Sequence, residues 1–133
     1  MTPAARVQTS IELLDSIIEA ARNKGAPADR ILAEWFRNNR FAGSKDRRAI
    51  RELVFAAIRA CGPMPASGRS AMLRLGEVDE NIPALFDGSN YGPAAIRDGE
   101  CPDELRSSVF SNRPVVEWHR VKDFQLMSLK LLA

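Results

Sequence analysis

Arg37, Arg40, Ser44, Lys45, Arg47, Arg48 and Arg51 lie within fifteen positions and carry the side chains of this chain best suited to chemistry. They are guanidinium, ammonium and hydroxyl donors, a set suited to holding an anion. In the stretch 36–59, FRNNRFAGSKDRRAIRELVFAAIR, Arg59 brings the basic residues to seven. Only Asp46 and Glu52 oppose them, so the local balance is +5 in a chain whose formal net charge is +2. Basic charge is therefore concentrated at one helix–turn–helix junction, and the second helix also carries an apolar stripe. That pairing implies a folded helical domain with an anion-facing corner, and nucleic acid is the obvious anion. A helix starting at Lys45–Arg47 offers free backbone N–H groups to a phosphate, and Ser44 adds a hydroxyl. Asp46 puts a negative charge at the same spot. It either opposes a phosphate, supports the helix dipole or pairs with a nearby arginine.

Other chemistries find little support. His119 is the single histidine, and no Ser or Cys stands in a partnered context, so no catalytic residue is assigned. Cys61 and Cys101 are far apart with no CxxC spacing, which argues against a zinc site and any other metal centre. No apolar run reaches the length of a membrane span, and the N-terminal residues lack a secretory pattern; a cytoplasmic location is expected. Trp35, Phe36 and Phe41 could stack on bases. Helical spacing assigns Trp35 and Phe36 to the core, whereas Phe41 falls in the turn and stays open.

The elements that position these residues follow from apolar spacing. Thr2 and Pro3 suit the start of a first helix, with Val7, Ile11, Leu14, Ile18 and Ala21 as its stripe, widened by Leu13 and Ile17. Asn23-Lys24-Gly25 ends it, with Gly25 free to take positive φ. A second helix over about 28–39 buries Ile31, Leu32, Trp35 and Phe36. Gly43 breaks it, and Ser44 is expected to cap a third helix over about 45–60 that buries Ile50, Leu53, Val54, Ala57 and Ile58. CGPMPASG reads as a loop, 70–75 as a short helix closed by Gly76, and 82–86 as a further helical turn before DGSNYGP. In the last segment, 118, 121, 124, 127 and 131 form a helical face. No strand-length alternation and no internal repeat stand out.

Several segments together resemble a known family. They are TPAARVQ at 2–8, IELLD at 11–15, ADRILAEWFRNNRFAGSKDRRAIRELVF at 28–55, GRSAML at 68–73 and ALFDGSNYGP at 84–93. This set resembles the N-terminal domain of the Fmu/Sun/RsmB-type ribosomal RNA cytosine-5 methyltransferases, especially the alphaproteobacterial form. The resemblance implies an all-α, NusB-like helical bundle of about five to seven helices over 1–100 that binds RNA, and in the parent architecture that RNA is ribosomal.

 The resemblance also implies a linker and then a Rossmann-like domain that binds S-adenosylmethionine and carries two catalytic cysteines, one in a Pro-Cys and one in a Thr-Cys motif. Neither context occurs here, since Cys61 follows Ala60 and Cys101 follows Glu100. No glycine-rich strand-to-helix turn for the cofactor is present either.

From about residue 101 the chain departs from the family pattern, by truncation, frameshift or divergence, and 101–133 reads as a separate tail. The expected role is thus an accessory RNA-binding domain without a cofactor or catalytic activity of its own. The alternatives are a protein-interaction module and a NusB-like module of the transcription-antitermination type. Trp118 and Phe124 in the tail suggest a homodimer contact.

Overall fold

The Thr2 hydroxyl accepts a hydrogen bond from the Ala5 N–H (3.1 Å) and Pro3 takes the first helical position, which starts α1, Pro3–Arg22, where the sequence places it. In the computed structural model, which describes residues 1–100, three more α-helices follow: α2 (Ala28–Asn38), α3 (Ser44–Ala60) and α4 (Gly68–Val78). A short 3-10 turn, Pro83–Leu85, comes after them. The described residues form an all-α bundle with no strand. The tail, including Cys101, Trp118, His119 and Phe124, lies outside the described residues, and with it the expected homodimer contact.

The first helix is the centre of the bundle and packs against α2, α3, α4 and the 3-10 turn. Val7 and Leu14 are fully buried, and Ile11, Leu13, Ile17 and Ile18 nearly so. Ala4, Ala5, Thr9 and Ser10 are buried as well, so the covered face is wider than one stripe. The Ser10 hydroxyl is satisfied within the helix by donating to the Arg6 carbonyl at 2.7 Å. At its C-terminus Lys24, rather than Gly25, takes the positive φ (55°), and the Gly25 N–H donates to the Ala20 carbonyl at 2.7 Å. The chain turns one residue earlier than expected, and glycine serves the close return to Ala20.

Ala28, Leu32 and Phe36 are buried on α2, while Ile31 and Trp35 are half-buried against the same core. The third helix begins one residue earlier than expected. Gly43 is its N-cap residue and Ser44 its first helical residue, and no side chain caps it. Ile50, Val54, Ala57 and Ile58 are fully buried as the spacing requires. Leu53 is half-buried, and Phe55 is buried instead. These two residues flank the stripe on opposite sides. The Leu53 side opens on a furrow of about 310 Å³ lined also by Pro3, Arg6, Leu75 and Leu85.

The fourth helix is longer than expected, and Gly76 lies inside it rather than closing it. Its start is held twice: the Ser67 hydroxyl accepts from the Ser70 N–H (3.1 Å), and the Asp15 carboxylate on α1 accepts from the Gly68 N–H (2.7 Å). A Cβ at Gly68 would lie 2.1 Å from the Ile11 carbonyl oxygen, so glycine permits α4 to meet the α1 backbone. Every residue from Ser70 to Leu75 is buried. Among them is Arg74, whose Nη1 donates to the Pro63 carbonyl at 3.0 Å and ties the preceding loop to the helix.

Arg69 straps the segment after the 3-10 turn onto α4. Its guanidinium grips the Glu100 carboxylate at two points (2.8 Å each), donates to the Ala94 and Ala95 carbonyls, and lies 5.0 Å from the centre of the Phe86 ring. This grip holds the Glu100 carboxyl down at about 2.

Truncation at the centre should therefore cost more than truncation at the furrow. Leu14→Ala is expected to destabilise by about 2–5 kcal/mol, and Leu53→Ala by about 1 kcal/mol. Gly68→Ala should cost at least as much as Leu14→Ala, because backbone must move. Urea melts of the three variants give the order, and an equal cost for Leu14 and Leu53 would contradict this packing.

Candidate nucleic-acid interface

The basic corner is built on the junction between α2 and α3, and its turn is fixed from inside. Ala42 is fully buried, and its N–H donates to the Asn39 carbonyl at 3.2 Å. The Asn39 side-chain amide donates to the Trp35 carbonyl at 2.8 Å. From α3, the Arg47 Nε donates to the Ala42 carbonyl (2.9 Å). These bonds satisfy backbone groups that a turn between two helices would otherwise leave open.

The seven residues singled out from the sequence fall into two groups. Arg37, Arg40, Ser44, Lys45 and Arg48 are exposed. Arg47 is half-buried and belongs to the turn's scaffold. Arg47 and Arg51, one helical turn apart, place their guanidiniums 5.9 and 5.6 Å from the centre of the Phe36 ring. Arg51 remains exposed, so it bridges the two groups. None of Arg37, Arg40, Lys45, Arg48 and Arg51 forms an ion pair among the described residues. Arg59, which adds to the local charge, sits in the last turn of α3 at the far end of the helix. Ser44, Lys45 and Arg48 line a shallow depression of about 360 Å³ with Ala49 and Glu52.

Asp46 has a partner that sequence distance conceals. Its carboxylate accepts from the Arg6 Nε on α1 at 2.8 Å and lies 3.6 Å from the N-terminal amino group. The Arg6 hydrogen bond is the main cause that holds this carboxyl below its ordinary value. The acid is thereby drawn to the α1 side of the corner.

Phe41 projects from the turn with 71% of its surface exposed. Its ring meets Trp35 edge to face, with centres 6.1 Å apart and planes at 74°. Trp35 in turn meets Phe36 edge to face at 5.6 Å, as a half-buried support. Sequence spacing left Phe41 open between core and surface. The signal was its place outside both helical stripes.

Among the described residues no group of three or more His, Cys, Asp or Glu side chains could hold a metal ion. No helix there is long and apolar enough to cross a membrane. No family model, curated protein or solved structure matches the chain.

Asp46 supplies a pH test of the corner's anchoring. Its folded-state value is depressed, so its contribution to stability is present above the ordinary carboxylate value and is lost as pH falls through the folded one. Asp46→Asn should lower the melting temperature at pH 7, and the difference from the native chain should shrink below about pH 4. A difference independent of pH would show that the charge of Asp46 adds nothing to the Arg6 contact.

Proposed function

We propose that residues 1–100 act as an accessory RNA-binding domain and that the α2–α3 corner is its contact surface. The observation that carries this reading is the set of exposed cations Arg37, Arg40, Lys45 and Arg48, unpaired among the described residues, on a rigid turn. Lys and Arg facing solvent from a fixed scaffold suit phosphate oxygens, which need no particular base sequence.

The sequence resemblance supports a narrower form of the proposal. In it the domain is NusB-like and presents ribosomal RNA to a separate domain that methylates cytosine. That domain would hold S-adenosylmethionine. Residues 1–100 consist of helix and loop. The part of this chain is to bind and orient RNA.

A protein-interaction role is the second reading. It draws on Phe41, Trp35 and the arginines, which are residue types enriched at interface hot spots.

Replacing Arg37, Arg40, Lys45 and Arg48 together by Ala removes four exposed cations and leaves the turn scaffold alone. If all four meet phosphates, the log–log salt slope for binding a structured ribosomal RNA should flatten by about 3. Stability should change little, since exposed charges contribute little. An unchanged slope in a folded variant would favour the protein-interaction reading.

A further inference from the structure

We infer that Phe41 is a stacking platform for one unpaired base, so that the corner takes single-stranded or looped RNA in preference to a continuous duplex. This inference rests on the RNA-binding reading and deepens it. A single exposed apolar side chain means little by itself. Three observations give this one a direction. First, the turn that carries it is held by the Asn39, Ala42 and Arg47 hydrogen bonds, so the ring is displayed from a fixed backbone. Second, its one ring contact among the described residues is edge to face with Trp35, and 71% of the residue remains exposed. Trp35 therefore supports the ring without covering it. Third, Arg40 precedes it, and Ser44 and Lys45 follow within one turn of chain, all exposed. Phosphates on either side of a stacked nucleotide would meet donors of the right charge.

The chemistry selects the ligand. In an A-form duplex the base faces are stacked on one another and closed to a side chain, whereas loop nucleotides can splay out onto an aromatic ring. Stacking is tolerant of base identity, because every base has a π-face. The corner would thus distinguish unpaired from paired RNA without reading sequence.

The test compares a uridine oligonucleotide of about 12 nucleotides with a fully paired RNA duplex of the same length. The full chain and its Phe41→Ala, Phe41→Leu and Phe41→Trp variants are titrated at several salt concentrations. Phe41→Ala should weaken binding of the single strand by about 5- to 150-fold, the range one base–aromatic stack supports, with an unchanged salt slope. Phe41→Leu keeps an apolar contact for Trp35 but lacks a π-face, and should lose a similar factor. Phe41→Trp should bind as well as the native chain. Duplex binding should be the same in all four. Native-like single-strand binding by the Ala and Leu variants would overturn the stacking inference. So would an equal loss on single strand and duplex, since that marks a role in shaping the turn. In either case, a flattened salt slope in the four-cation variant would leave the RNA-binding reading standing. A native chain that binds neither RNA would overturn both.

Discussion

Burial of α1 is the constraint on which the rest of the structure depends. One twenty-residue helix is covered on most of its circumference, and the other helices are placed by what they cover. Two polar contacts from the same helix then set their positions. Asp15 caps the start of α4 at Gly68, and Arg6 holds Asp46 at the start of α3. Apolar burial alone is non-directional. These two contacts add direction, because each ties a helix N-terminus to a particular turn of α1.

The same arrangement accounts for the character of the basic corner. Arg6 draws Asp46 away toward α1, and Arg47 turns inward to the Ala42 carbonyl. One acid and one base are thus used to fix the junction. The remaining cations stay exposed around Phe41. A mixed cluster in the sequence becomes a scaffold with a charged and aromatic outer surface. Ion pairs at exposed positions add little stability, so the fold does not require partners for these cations.

Much of this architecture was legible in the sequence because it rests on local rules. The Thr2 cap, the Pro3 start and the stripes through Leu14 and Val54 follow from spacing and from cap chemistry. The departures share a cause, since each depends on contacts distant in sequence. Ser44 does not cap α3, because it is the first residue of the helix itself, whose first turn is held to α1 through Asp46 and Arg6. Leu53 is less covered than Phe55, because the furrow beside Pro3 and Leu85 is left open. The fourth helix is longer than its local pattern implies, because Gly68 and Gly76 read locally as breakers while Asp15 and the α1 backbone make the first of them necessary. The exposure of Phe41 was undecidable from periodicity, as a turn residue has no stripe to belong to.

The central claim is that the α2–α3 corner is the surface that meets RNA. An amide NMR titration of the full chain with a structured ribosomal RNA hairpin tests it most directly, since it reports location without altering any side chain. The account predicts that shifts concentrate at residues 37–51, including the Phe41 amide, and that the furrow residues Leu75 and Leu85 stay in place. Shifts centred on that furrow, or none at saturating RNA, would contradict it.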